Sequence, residues 1–385
     1  MTGLSYSANS YSYSYSYSYG GANSYSYSAG SDAAGIGGFA GDPMLSAAIA
    51  ATRDALLSDI AIAQLGKGGD RRAGIPFSGE LAPDKLPTLA WAPDIGAYGA
   101  QVRAALALFE LSSSVAFSVK DKQAILEGTW VDSANEAKRA KLVTMERPTR
   151  AYFEGQLQLV DAWSSRRDVR AAEIVTQVVP PVPYFASLLN LQAGKHRRTL
   201  ELINAALQFT YAICMQFKHA LACPRPSEYS VGVQAMIEVP MHPTLPAGHA
   251  AEAHVTAAIL ARLAGVAPGS TTDQMLRRLA FRIAENRVVA GVHFPVDMTA
   301  GRLLGDALAG YVLARCGAEA VWIGGQFRPE GGDETYGKAG TFDAAGGRFD
   351  GRGCSKLDDG RAGQCSALLA EMWSAAAAEW QRSRP

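Results

Sequence analysis

The sequence predicts an all-α protein, a multi-helix bundle, on three observations. Apolar residues recur at helical spacing through most of the chain, strand-type alternation is nearly absent around the segments richest in chemistry, and Gly and Pro fall where helices would start and stop. With 385 residues, 48% of them apolar, the chain has room for one large domain or two ordinary ones and ample material for a core. Its 36 basic and 36 acidic side chains cancel, so it lacks the global positive field that nucleic-acid binding needs, and any cationic pocket must be local.

Residues 5–28 alternate Ser and Tyr, broken only by Ala, Asn and Gly. Without large aliphatic residues, residues 1–41 read as a low-complexity tail, either disordered or, through its period-two tyrosines, self-associating. A helical domain is expected over 42–320. It opens with a helix over 43–65, whose apolar stripe runs through Leu45, Ile49, Leu56, Ile60 and Leu65, and a Pro-punctuated loop follows over 76–93. Helical periodicity then covers 96–117, 121–141, 147–178 with a break, 183–191 and 196–222. Residues 321–385 read as a Gly-rich excursion, irregular over 324–363, followed by a last helix over 366–380 that docks on the bundle or on a second subunit.

The first residues form neither a basic n-region nor an apolar h-region, and no apolar run reaches the roughly 18 to 20 residues of a membrane span. A cytoplasmic location is therefore expected. Five cysteines, Cys214, Cys223, Cys316, Cys354 and Cys365, are scattered without a CxxC pair, as reduced thiols would be. Cys223 reads as a small buried hydrophobe, His254 as a satisfied core residue, His196 and His219 as surface residues, and Glu285 as a solvated or supporting carboxylate.

The chemistry gathers in three short segments, containing Lys218, Arg225 and Pro226, then Pro246-Ala247-Gly248-His249, then Arg287, His293 and Asp297. Three cations, two histidines and a carboxylate are what a tetrahedral oxyanion site needs: the cations hold oxygens, one imidazole reaches the central atom, the other trades a proton, and the carboxylate fixes a tautomer. Each segment falls at a helix end. Pro224 stops the helix carrying Lys218, Gly248 and His249 open one helix, and Pro295 suits the first position of another with Asp297 in its first turn. Two helix N-termini would face the anion.

These segments resemble the signature of the superfamily that unites type 2 phosphatidic acid phosphatases, class A acid phosphatases and vanadium-dependent haloperoxidases. Lys, six residues and Arg-Pro is matched in full at Lys218, Arg225 and Pro226. The Pro-Ser-Gly-His block is matched except for Ala247, and the Ser-Arg, five residues, His, three residues, Asp block is matched except that Asn286 stands for Ser. The resemblance implies an acid phosphatase/vanadium haloperoxidase type of bundle in which Lys218, Arg225, Arg287 and the Gly248 N–H bind phosphate or vanadate oxygens. His293 would be the nucleophile toward phosphorus or the ligand of vanadium, Asp297 its orienting partner, and His249 the general acid/base. His242, seven residues before His249, is similar to a position where bromide-type haloperoxidases often carry histidine. Met215 departs from the aromatic that haloperoxidases often place three residues before the lysine. The family serine donates a hydrogen bond to the anion, so its absence at Ala247 is expected to cost on the order of 1–3 kcal/mol.

The resemblance implies, first, a vanadate-dependent haloperoxidase acting on hydrogen peroxide and a halide, chiefly bromide. The alternative is an acid phosphatase acting on a phosphate ester through a phosphohistidine, with no cofactor. A third reading is a non-catalytic self-assembling helical protein whose site has decayed.

Overall fold

In the computed structural model, the structure describes residues 95–131, 135–329 and 365–382, with the short stretches 12–14, 26–28, 51, 354–356 and 361–362. The expected helix over 43–65, the loop over 76–93, most of the Ser-Tyr tail and most of the Gly-rich excursion lie outside these residues. The chain divides into two units, one comprising Met1–Tyr15 and Ser26–Leu89, the other Ser16–Tyr25 and Ala90–Pro385. In the first, strand β1 (Ser12–Ser14) pairs antiparallel with β2 (Ser26–Ser28).

The second unit is an all-α bundle with a small open sheet at its side. Its helices are α1 (Ala100–Ser113), α2 (Arg150–Ser164), α3 (Arg167–Thr176), α4 (Val182–Leu189), α5 (Arg197–Leu221), the short α6 (Pro226–Tyr229), α7 (Gly248–Leu263), α8 (Thr271–Val289), α9 (Pro295–Arg315) and α10 (Ala367–Arg382). The predicted break within 147–178 falls between α2 and α3.

Helical periodicity over 121–141 was the wrong period. Strands β3 (Val115–Lys120), β4 (Gln123–Val131) and β5 (Ala137–Glu146) occupy 115–146 as an antiparallel meander. Asp121, at a left-handed φ of 56°, turns β3 into β4, and Ala124, Leu126 and Gly128 alternate inward along β4. Strand β7 (Gly325–Phe327) adds parallel to β5, and β8 (Cys354–Lys356) closes the order β3-β4-β5-β7-β8. Strands β6 (Val321–Trp322) and β9 (Arg361–Ala362) form a separate pair.

Helices α7 and α9 form the centre and are buried along nearly their whole length. Two glycines allow them to touch. A Cβ at Gly301 would lie 2.3 Å from the Ala247 carbonyl oxygen, and one at Gly305 2.5 Å from that of Ala251, so neither position admits a side chain without separating the helices. The close approach brings their N-termini together, with Ala247 N–H donating to the Asp297 carbonyl at 2.9 Å.

Helix α10 docks on α5, one of the two alternatives left open for the last helix. Its Glu379 carboxylate accepts from the N–H groups of Arg198 (2.7 Å) and Thr199 (2.9 Å), capping the positive end of α5, and Trp380 Nε1–H donates to Thr199 Oγ1. The same contact corrects the surface reading of His196. Its ring lies 4.8 Å from that of Trp380, and only 4% of the residue is exposed, despite the flanking Lys195 and Arg197. Among the described residues no helix is long and apolar enough to cross a membrane.

Candidate active site

Lys218 enters the site from the last turn of α5. Helix α5 ends where Ala222 takes a left-handed φ of 46°, a conformation that costs a non-glycine residue roughly 1–2 kcal/mol. This turn carries the chain back so that Arg225 lies against the bundle it has just left. Lys218 Nζ donates to the carbonyls of Pro243 (2.9 Å) and Thr244 (2.8 Å), and burial pushes its pKa down to about 8. Arg225 donates through Nε to the His242 carbonyl (2.9 Å) and through one terminal nitrogen to the Val292 carbonyl (2.7 Å). Its other terminal nitrogen lies 3.2 Å from His242 Nδ1. Residues 242–244 therefore wrap both cations, and Thr244 N–H fastens them to the Cys223 carbonyl.

His293 immediately precedes α9, with Pro295 at the first helical position as expected. Its Nδ1 lies 3.1 Å from Asp297 Oδ2 and 3.1 Å from Thr244 Oγ1, while the Thr244 hydroxyl donates to the same Asp297 oxygen at 2.5 Å and the Phe294 N–H at 2.8 Å. A carboxylate that accepts from all three groups puts the His293 proton on Nδ1 and leaves Nε2 as the lone pair. That Nε2 is 3.5 Å from Arg225. Burial, reinforced by Arg225 and Lys218, drives the His293 pKa well below its usual value, so the ring is neutral; burial pushes the Asp297 carboxyl up to about 6. Thr244 is the residue the motifs missed, although the Pro-flanked run 242–246 hinted that this loop is shaped for a purpose.

The remaining residues gather on the facing side. Gly248 begins α7 and His249 follows it. Burial, aided by Arg287, pushes the His249 pKa down to about 3, opposed in part by the carbonyls of Val178 and Gln177. His249 Nε2 is buried and makes no hydrogen bond among the described residues. Arg287, in the last turn of α8, donates to the carbonyls of Ile174 (3.0 Å) and Gln177 (3.4 Å) at the C-terminal end of α3, where the helix dipole favours a cation. A proton on His249 would further disfavour one on His293, so the two rings lie within electrostatic reach of each other. His242 is half-buried, with its pKa pushed down to about 4 chiefly by burial.

Asn286 and Glu285 tie α8 to α3. Asn286 Oδ1 accepts from Arg170 (2.8 Å), and its Nδ2 donates to Glu173 (3.0 Å) and to Gln177 Oε1 (2.9 Å). Glu285 is 7% exposed and paired with Arg166 (2.6 Å) and Arg170 (2.9 Å), so it is a buried brace and not a solvated carboxylate. His254 bonds its own helix through Nδ1 to the Ala250 carbonyl (2.8 Å), Cys223 is buried, and His219 is exposed, as read from sequence. Among the described residues no three His, Cys, Asp or Glu side chains gather as ligands for a metal cation. The donor set suits an anion.

Residues 200–319 match the profile described as the PAP2 superfamily. Over that span the chain is similar to the PAP2 superfamily. No curated protein matches it. The PAP2 region begins in α5 and ends just after α9, so it takes in the motif cations, both motif histidines and Asp297, whereas α3, which holds Arg287, lies before it.

The buried imidazoles make the folded protein sensitive to acid. A pKa lowered from 6.5 to about 3 means that the folded state refuses a proton the unfolded chain accepts. His249's contribution to stability is therefore complete above pH 6.5 and lost as pH falls toward 3, by about 2 kcal/mol at pH 5 from this residue alone. His242, His254 and His293 act in the same direction. Asp297, raised from 3.8 to about 6, acts oppositely and favours folding as pH falls through that interval, one group against four imidazoles. The unfolding midpoint is expected to drop between about pH 7 and about pH 5, and added phosphate should lessen the drop; a midpoint that holds or rises contradicts the neutral rings.

Proposed function

We propose that this protein is a haloperoxidase of the PAP2 superfamily that uses vanadate with hydrogen peroxide and a halide, bromide first. The observation that carries this reading is His242: its carbonyl and its ring nitrogen both lie against Arg225, and the two residues after it hold Lys218. These contacts support reading the histidine seven residues before the acid/base candidate as part of the oxyanion site. Acid phosphatase chemistry is the second reading, favoured by the unprotonated Nε2 of His293, which suits in-line attack on phosphorus as well as ligation of vanadium.

The residues fit a tetrahedral oxyanion. Lys218, Arg225 and Arg287 would hold its oxygens with the Gly248 N–H, and His293 Nε2 would take the central atom. The buried, unbonded His249 Nε2 would gain a partner. Vanadate, when bound, supplies Lewis-acid activation of hydrogen peroxide toward the halide. The chain's part is electrostatic and protonic. The cations neutralise oxygen charge in a dry site, Asp297 and Thr244 keep the proton of His293 on Nδ1, and His249 exchanges a proton with an entering or leaving oxygen. The deciding experiment is a pair of assays on the purified full-length protein, vanadate-dependent bromination of a dye and hydrolysis of p-nitrophenyl phosphate. Hydrolysis without vanadium binding or bromination replaces the first reading with the second.

Ala247 caps α7 with a side chain that cannot accept the free N–H groups of the first turn. Ala247→Ser is expected to raise phosphate affinity by roughly tenfold through a new donor, measured by titration calorimetry. It should also raise the unfolding midpoint through the cap. Unchanged or weaker affinity would mean that the pocket is shaped around alanine.

A further inference from the structure

Gln177, just past the C-terminal end of α3, is fully buried, and its Nε2 makes no hydrogen bond among the described residues. The orientation of this amide follows from its neighbours. Arg170 can only donate, so the Asn286 atom facing it is Oδ1; Glu173 accepts, so the atom facing it is Nδ2. The Gln177 atom 2.9 Å from Asn286 Nδ2 is therefore Oε1, which leaves the NH2 group as the orphan. Buried amide donors are nearly always satisfied in folded proteins, so an orphan calls for a partner.

The surroundings indicate which partner. Gln177 Oε1 is 3.5 Å from one terminal nitrogen of Arg287, and its carbonyl is 3.4 Å from the other. The backbone carbonyls of Gln177 and Val178 also lie by the His249 ring, whose Nε2 is the second unbonded buried nitrogen here. A guanidinium and an unbonded amide donor call for an acceptor-rich, negatively charged ligand. We infer that the side-chain amide of Gln177 is a direct oxyanion-binding donor, donating from Nε2 to an oxygen of the phosphate or vanadate held by Arg287. This rests on the oxyanion-site reading above and adds a residue outside its three motifs.

The two departures from the motif pattern acquire a common meaning. The serine hydroxyl is missing at Ala247, and the serine before Arg287 has become Asn286, whose amide aims Gln177. The chain keeps its count of neutral donors by drawing one from α3.

The test uses the full-length protein and inorganic phosphate. With glutamine selectively labelled with 15N, the side-chain amide signal of Gln177 is the one lost in Gln177→Leu. It should move downfield on phosphate addition, and Gln177→Leu should bind phosphate roughly ten- to a hundredfold more weakly with an unchanged circular dichroism spectrum. Should that variant fold poorly, the wild-type amide signal still decides. If phosphate binds the wild type and that signal stays in place, the donor role is overturned, and weaker binding by the variant then means only that Gln177 positions Arg287. Variant affinity within threefold of wild type also overturns it. If phosphate does not bind the wild type at all, the oxyanion-site reading falls and this inference with it.

Discussion

Replacing His293 by alanine is expected to reduce turnover by roughly 10⁴- to 10⁶-fold, the scale of losing a group that bonds the reacting centre. The Nδ1 proton is committed to Asp297 and Thr244, and the Nε2 lone pair faces the cations. The fold should survive, because Asp297 keeps the Thr244 hydroxyl and the Phe294 N–H as donors and Ala247 N–H remains bonded to its carbonyl. Phosphate binding should survive too, since Lys218, Arg225 and Arg287 remain. Vanadate affinity should fall much further than phosphate affinity under the haloperoxidase reading, so the ratio of the two, by calorimetry, separates a lost ligand from a damaged pocket. A variant that loses both equally while folded would mean that His293 shapes the site and does not bond the anion.

The motif-bearing half of the fold was legible because its helix ends are encoded locally. Pro295 at the first position of α9 and Pro224 beyond α5 each state a boundary within a few residues. The sheet was not legible for the opposite reason. The strands beyond β5 on its far side come from 325–327 and 354–356, so no local window contains the pairing. His196 was misread likewise: its sequence neighbours are charged, while the ring that covers it comes from α10.

The candidate site divides along the same line. Chemistry fixed by spacing, such as His293 with Asp297 one helical turn on, can be read from the chain. Chemistry fixed by packing cannot. Thr244 joins the His293–Asp297 pair only because Lys218 and Arg225 draw residues 242–244 inward, and Gln177 meets Arg287 only because Asn286 and Glu285 clamp α3 onto α8. An asparagine in place of a motif serine was the one visible trace of that clamp.

His249→Ala should fail differently from His293→Ala. With a pKa of about 3 in the free protein, His249 is a neutral base at ordinary pH. An oxyanion held by Arg287 brings negative charge to a ring otherwise discouraged from protonation by burial and by that same arginine, so binding should raise its pKa and couple to proton uptake. Calorimetry in buffers of different ionisation enthalpy would read this uptake, and the variant should lose most of it. The anion itself should stay bound, because the cations and the Gly248 N–H do not depend on His249. Turnover should fall by roughly 10²- to 10⁴-fold, the range of general acid/base catalysis, with the KM for a phosphate ester or for peroxide changing little. In the wild type kcat should decline as pH rises through the His249 pKa of the complex, since the leaving oxygen then finds no proton, and that limb should be absent from the variant. Equal, mild losses in the two histidine variants, both folded by circular dichroism, would remove the division of labour between a bonding and a proton-transferring imidazole.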